Sequence, residues 1–306
     1  MIVRAENVRK RYGDTVALDG VSLSIRSGEV FALVGPNGAG KTTLVRALTG
    51  TTDAEGHVEL FGSSPTDVDR ERIGVLPQEF SPAERLTARE LIEYYAGLYD
   101  DPVDVESILD DVGISDSSET FYENLSGGQK RRACVGTTLV NDPELLVVDE
   151  PTTGIDPTGR RELWRLLEGL ADDGTTVLLT THYMQEAERL ADRVGLLSDG
   201  ALVAVDSPSS LVERYGGDSR LLVETEAFDA ARSVLADGGF ELLPDADAVA
   251  VVVDPPSIGD VAATLDDADV DYEGLLWRQP DLEDVYLTLT GREQDAVVEH
   301  PMEASL

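Results

Sequence analysis

The spacing of apolar residues changes period several times along the chain, and each change marks an element. Residues 1–28 hold two short alternating runs, Ile2 to Val8 and Val21 to Ile25, around a turn at Tyr12-Gly13-Asp14, and they predict strands. Glu29-Val30-Phe31-Ala32-Leu33-Val34 is an apolar run short enough to be a buried strand. Leu44, Val45, Ala47 and Leu48 then fall at helical spacing, and Gly50 stops that helix. His57 to Phe61 and Ile73 to Leu76 predict two further strands.

The character shifts over 86–124. Thr87-Ala88-Arg89-Glu90 is a capping box ahead of Leu91, Ile92, Tyr95 and Leu98, which share one helical face. Val105, Ile108, Leu109 and Val112 repeat that spacing before Gly113, so a helical insert interrupts the α/β alternation. Leu145-Leu146-Val147-Val148 is apolar throughout, as expected at the centre of a parallel sheet. Asp156-Pro157 starts a helix, Thr176 to Thr180 gives another buried strand, and a helix begins at about Met184. Two strands flank the Asp199-Gly200 turn, and a helix over Ser209 to Tyr215 closes the first domain.

Gly216-Gly217-Asp218-Ser219 reads as a linker, dividing a domain over 1–215, with a helical subdomain at about 79–140, from one over 216–306. Beyond it the pattern is strand 220–226, helix 228–237, strand 240–243, strand 248–253, helix 257–267 and strand 271–277. That β-α-β-β-α-β order matches the ferredoxin-like split unit. A last helix at about 281–290 precedes a polar tail, and nothing in this region has catalytic spacing.

Charge changes the picture more than composition does. An apolar fraction of 42% over 306 residues is adequate for a packed core, but 24 Lys+Arg stand against 60 Asp+Glu, a net charge of -36. Residues 1–215 carry 20 basic and 38 acidic side chains, and 216–306 carry 4 and 22, so the second part is about twice as acidic per residue. Lys10, Lys41 and Lys130 are the only lysines. Such a charge repels itself at low ionic strength, whereas molar salt shortens the Debye length to about 3 Å. The composition resembles that of halophilic archaeal proteins; an acidic surface for a basic partner is the weaker alternative, because the acid is spread throughout. No basic stripe is present to displace counterions, which disfavours a nucleic-acid partner. The single cysteine, Cys134, excludes an internal disulfide and reads as a small core residue. With no signal segment and no apolar run near the length of about 18 residues that spans a bilayer, we expect a soluble chain whose membrane connection comes through a partner.

The chemistry centres on Gly35-Pro36-Asn37-Gly38-Ala39-Gly40-Lys41-Thr42-Thr43, a full G-x-x-x-x-G-K-[ST] match lying between a predicted strand and a predicted helix. Glycines let the backbone wrap an anion, amides at the helix start point at it, Lys41 adds a positive charge, and Thr42 can ligate Mg²⁺. Val147-Val148-Asp149-Glu150 sets two acids at the end of a buried strand. Beside a P-loop, the first such acid holds Mg²⁺ and the second can orient and deprotonate water, although strand ends of this kind also occur as plain surface corners. Leu125-Ser126-Gly127-Gly128-Gln129 opens a helix running through Val135 and Leu139, either as a second anion site or as an ordinary capped start. His182 follows a strand and Gln78 ends one; alone, each would mean little, and His57 and His300 lack even that setting.

Taken together, Tyr12, GPNGAGKTT (35–43), Gln78, LSGGQ (125–129), VVDE (147–150), Gly154-Ile155-Asp156 and His182 resemble, in order, the motifs of the ABC-transporter ATPases. The resemblance covers residues 1–215, with Ile155 standing where leucine is commoner. It implies a P-loop α/β fold with a mostly parallel core sheet, an antiparallel β subdomain and a helical subdomain that meets a permease. It also implies ATP and Mg²⁺ as cofactors. Tyr12 would stack on adenine, Lys41 would bind the β- and γ-phosphates, and Thr42 and Gln78 would ligate Mg²⁺ while Asp149 holds its water shell. Glu150 would be the general base and His182 the γ-phosphate contact. Ser126, Gly127 and Gly128 would bind ATP held by the opposite subunit of a homodimer or pseudo-dimer, and Asp156 would cross that interface.

Pro280 to Gly291 resembles the C-terminal extension of ATPase subunits of drug, antibiotic and polysaccharide exporters. The expected protein is therefore a peripheral ATPase on the cytoplasmic face of the membrane, energising a separate transmembrane permease for a small or lipid-like molecule. A soluble ABC ATPase acting on ribosome or DNA would be expected to carry two cassettes or a long coiled coil, and a nucleotide-dependent regulator would be expected to lack Glu150. The charge yields a prediction of its own: diluting KCl from molar to about 0.1 M lowers the melting temperature, with amide protection lost first over 216–306. An unchanged melting curve would refute the halophilic reading.

Overall fold

In the computed structural model, which describes residues 1–243 and 248–291, the chain opens with one long hairpin in place of two short strands. β1 (Val3–Tyr12) and β2 (Thr15–Ile25) pair from Val3↔Ile25 to Tyr12↔Thr15. Register shifts interrupt the pairing between Ala5 and Val8 and again between Lys10 and Arg11, and Asn7 has φ 54°. Bulges of this kind break the two-residue alternation, which is why the apolar pattern shows only the ends of the hairpin.

β3 (Val30–Val34) is buried at every position and feeds α1 (Lys41–Leu48), which buries Leu44, Val45, Ala47 and Leu48. β4 (Glu55–Leu60) joins β1 antiparallel, completing a three-stranded sheet of order β2-β1-β4. β5 (Ile73–Leu76) leads into the helical insert, where α2 (Ala88–Ala96) starts on the expected capping box: Thr87 Oγ1 accepts from Glu90 N at 3.2 Å, and Glu90 Oε2 accepts from Thr87 N at 2.8 Å. Gly97 caps that helix, so Leu98 lies past its end and is 65% exposed instead of sharing the buried face. α3 (Val105–Asp111) follows, capped by Asp104, and then α4 (Gly127–Gly136), which stops short of Leu139. The remaining elements of this unit are β6 (Leu145–Asp149), α5 (Pro157–Asp172), β7 (Thr176–Thr181), α6 (Met184–Leu190), β8 (Arg193–Ser198) and β9 (Ala201–Asp206).

The core sheet has the order β5-β6-β7-β3-β8-β9, parallel except for β9. Its register matters for everything that follows. Val34 pairs with Thr181 and Asp149 with Thr180, so β3, β6 and β7 end level at one edge. Phe31, Leu33, Leu44, Leu48, Val147 and Leu178 pack into one buried cluster that fixes this edge against α1. α4 and α5 approach with no side chain between them: a Cβ on Gly128 would lie 2.8 Å from Gly159 Cα. Among the described residues, no helix is long and apolar enough to cross a membrane.

This first unit runs Met1–Pro208, and a second begins at Ser209, inside α7 (Pro208–Tyr215). The second unit continues with β10 (Arg220–Glu224), α8 (Phe228–Asp237), β11 (Leu242–Leu243), β12 (Val249–Val252), α9 (Ile258–Asp267), β13 (Gly274–Arg278) and α10 (Leu282–Thr290). Its sheet is antiparallel, with order β11-β12-β10-β13, as the β-α-β-β-α-β pattern requires of a ferredoxin-like unit. Leu221, Val223, Ala231, Leu235, Val251 and Val261 form its core. The polar tail and His300 lie outside the described residues.

The α4–α5 contact can be tested. A methyl at Gly159 would meet Ile155 Cγ2 at 2.7 Å and Gly128 Cα at 2.9 Å, so Gly159→Ala should destabilise by about 1–3 kcal/mol in chemical denaturation.

Candidate functional site

The loop between β3 and α1 turns on Gly40, at φ 106°, where a Cβ would sit 2.4 Å from Ala17 O. Gly35 and Ala39 are buried, Pro36 and Thr43 are half-buried, and Asn37 and Gly38 are exposed, with open space beyond Gly38. Lys41 folds back into this loop. Its ammonium donates to Gly35 O at 2.6 Å and Pro36 O at 3.2 Å, and it lies 3.0 Å from Glu150 Oε1. Only 6% of the lysine is exposed, so this is a buried cation held by oxygens alone.

Two acids meet the loop from the end of β6. Asp149 Oδ2 accepts from Thr42 Oγ1 at 2.8 Å, and Oδ1 accepts from the Thr180 hydroxyl of β7. Glu150 turns away at φ 47°, a left-handed conformation unusual for a glutamate. It is anchored there because its N–H donates to Thr180 O at 3.1 Å and Thr180 Oγ1 at 3.0 Å. Glu150 Oε2 accepts from Thr153 Oγ1 at 3.2 Å and from His182 Nδ1 at 2.6 Å. Burial opposes ionisation of this carboxyl, but the hydrogen bonds and charges of Lys41 and His182 outweigh it and hold Glu150 below the ordinary carboxylate range. Lys41, Glu150 and His182 thus form one continuous chain of polar contacts.

Beside it lies a cleft of about 560 Å³ lined by Thr42, Arg46, Gln78, Glu79 and Asp149 among others. Gln78 is exposed on its rim. Among the described residues, no group of three or more His, Cys, Asp or Glu could hold a metal unaided. One carboxylate, one hydroxyl and one amide are hard oxygen donors, the small set that Mg²⁺ takes when phosphates and waters complete its shell. The donors fit that ion.

The other expected residues stand elsewhere. Tyr12 ends β1, 48% exposed, with Lys10 Nζ 5.2 Å from its ring centroid. Ser126 caps α4 in a capping box with Gln129; Ser126 and Gly127 are exposed, while Gly128 is buried against Gly159. Asp156 caps α5, accepting from Thr158 N at 3.1 Å and Gly159 N at 3.4 Å. Among the described residues, no hydrogen bond joins Tyr12, Ser126 or Asp156 to the Lys41–Glu150–His182 chain.

Three participants escaped the sequence reading. Thr180 and Thr153 bond the acids; for Thr180 the hint was a hydroxyl inside a strand whose every position is buried, while Thr153 lies exposed in the turn just past Glu150. Arg131 on α4 donates to Asp149 O at 3.0 Å and Pro77 O at 3.4 Å, tying that helix to both acid and glutamine segments. Desolvation lowers its pKa, and no sequence signal marked it.

The chain is similar in sequence and fold to several known proteins. A family model described as ABC transporter matches residues 18–153. A daunorubicin resistance ATP-binding protein of Streptomyces coeruleorubidus is 36% identical, covering 94% of this chain and 95% of that protein. A linearmycin resistance ATP-binding protein of Bacillus subtilis is 33% identical over 95% and 99% of the two chains. A Nod factor export ATP-binding protein of Cupriavidus pinatubonensis is 36% identical over 95% and 91%. Among solved structures, a dimeric ATP-binding cassette in a post-hydrolysis state with ADP and phosphate superposes with TM-score 0.60 at 26% identity, covering 67% of this chain and 98% of that one.

The depressed Glu150 carboxyl gives a pH prediction. Its folded pKa lies below the unfolded value, so its stabilisation is complete above the unfolded pKa of about 4.3 and is lost as pH falls through the folded one. Wild type should therefore melt above Glu150→Gln near pH 6, and the gap should narrow as pH falls below about 4.3. A gap that does not change with pH would contradict a Glu150 held ionised by its partners.

Proposed function

The chain belongs to the ABC transporter ATP-binding subunits, and on that footing we propose that it hydrolyses ATP at the Lys41–Glu150–His182 chain to drive export through a separate transmembrane permease. The carrying observation is the continuity of that chain: 3.0 Å from Lys41 Nζ to Glu150 Oε1, then 2.6 Å from Glu150 Oε2 to His182 Nδ1.

Lys41 is neutralised here by Glu150 and loop carbonyls, so an entering polyphosphate competes for its ammonium. Glu150, relieved of that partner, accepts the proton of the attacking water as the bond from phosphorus to the ADP oxygen breaks. His182, oriented through Nδ1 by Glu150, presents its other nitrogen to the γ-phosphate. Thr42, Gln78 and Asp149 would hold Mg²⁺, which supplies charge neutralisation on the phosphates. Gly35 to Thr43 would wrap the phosphates, and Tyr12 would stack on the base with its exposed ring.

Ser126, Gly127 and Gly128 would cover the ATP of a second copy, with Asp156 at the same interface. The exposure of Ser126 and Gly127, unattached to their own chain's site, supports this. So does the dimeric state of the related cassette. The helical insert would meet the permease at the cytoplasmic face, leaving residues 216–306 as an accessory domain and nucleic acid without a role. Relatives named for drug resistance and Nod factor export support an exported small or lipid-like substrate.

The test is Glu150→Gln, which keeps shape and removes both charge and proton acceptance. ATP affinity should persist, turnover should fall at least about a hundredfold, and ATP should trap a dimer on size exclusion. Wild-type turnover would overturn the assignment.

A further inference from the structure

In a chain of net charge -36, arginine side chains find carboxylates with ease: Arg72 pairs with Glu144, Arg132 with Glu162 and Arg189 with Glu168. Arg131 does otherwise. Half-buried on α4, it gives both of its hydrogen bonds to main-chain carbonyls, Nη2 to Asp149 O at 3.0 Å and Nη1 to Pro77 O at 3.4 Å. Its Nε is buried and has no partner among the described residues. A cation taken out of water and spent on two carbonyls calls for an explanation.

The carbonyls themselves supply one. Each belongs to a planar peptide unit whose other end is the N–H of a site residue: Asp149 C=O shares its plane with Glu150 N–H, and Pro77 C=O with Gln78 N–H. Glu150 N–H is already held, by Thr180 O at 3.1 Å and Thr180 Oγ1 at 3.0 Å. The two ends of a trans peptide point in opposite directions, so Thr180 from β7 and Arg131 from α4 grip one plane from both sides. Glu150 leaves that plane at φ 47°, a conformation that persists only where the surroundings over-determine it. Rotation of the plane would redirect the carboxylate, and with it the contacts to Lys41 at 3.0 Å and His182 at 2.6 Å. The grip has a firm base, because α4 packs against α5 with Gly128 on Gly159.

We propose that Arg131 is a positioning residue for Glu150: its guanidinium holds the peptide plane that aims the carboxylate and braces that plane against the segment of Gln78. The inference rests on the reading that Glu150 accepts the proton of the attacking water. A lysine would not replace it fully, since two carbonyls at a fixed separation suit the rigid fork of a guanidinium better than a single ammonium.

The test is a double-mutant cycle in the full-length chain. Arg131→Met and Arg131→Lys are each made in wild type and in Glu150→Gln, and kcat and KM for MgATP are measured well below the melting temperature. In wild type, Arg131→Met should lose about tenfold in kcat and Arg131→Lys about fivefold, with KM within about threefold. In Glu150→Gln, where no carboxylate remains to be aimed, either substitution should change the residual kcat by less than about twofold. Should Arg131→Met not fold, Arg131→Lys carries the same comparison. Unchanged kcat in the wild-type background would overturn the proposal. So would an equal loss in both backgrounds, the mark of a general structural role. Wild-type turnover in Glu150→Gln alone is a separate result, which would overturn the reading on which the proposal rests.

Discussion

A buried ammonium 3.0 Å from a buried carboxylate, Lys41 to Glu150, is the interaction on which the rest of the first unit depends. Two charges removed from water are expensive, and they persist only where geometry and further hydrogen bonds offset the desolvation. Here Gly35 and Pro36 carbonyls satisfy the lysine, while His182 and Thr153 both bond Glu150 Oε2, leaving the ammonium facing Oε1. Apart from the loop carbonyls and Thr153, three residues past Glu150, these groups come from distant parts of the sequence. They meet because β3, β6 and β7 are parallel and in register, so that three connections leave the sheet at one edge. The crevice beyond the carboxyl ends of parallel strands is where such a sheet can gather backbone amides and side chains around a ligand.

Thr180 shows how tightly this edge is drawn. One hydroxyl donates to Asp149 and accepts from the amide of Glu150, while the same residue's carbonyl accepts from that amide as well. The left-handed turn at Glu150 is thus held by β7, and the two acids point in different directions from consecutive positions. Asp149 faces Thr42 and the cleft; Glu150 faces Lys41 and His182. Neighbouring carboxylates thus meet different partners because of one backbone turn.

Contacts of different kinds join the helical insert to this edge. Gly128 and Gly159 bring α4 and α5 within backbone distance, and Arg131 reaches from α4 to the carbonyls of Asp149 and Pro77. The exposed start of α4 is thereby tied to the segments bearing Asp149 and Gln78, though it shares no bond with the Lys41 chain. Glycine at both helix surfaces is what permits the approach, since a single methyl would overfill it.

The sequence by itself determined the phosphate loop, the acid-ended buried strand, the capped helix at Ser126 and the β-α-β-β-α-β order of the second unit. Each of these is local: glycine and lysine spacing, an unbroken apolar run, a capping box or an alternation of period. Even local signals failed where the backbone broke its period, as at the bulges of the β1–β2 hairpin, or where a cap ended a helix early, as Gly97 does before Leu98. Only the tertiary structure decided that Thr180 and Arg131 lie against the acid pair. Thr180 lies 31 positions from Asp149, and Arg131 lies 18 from it. A polar side chain in a buried strand or helix carries no periodic mark of its partner. Its identity is set by which strands pair and in what register, a choice made by burial of the whole apolar core.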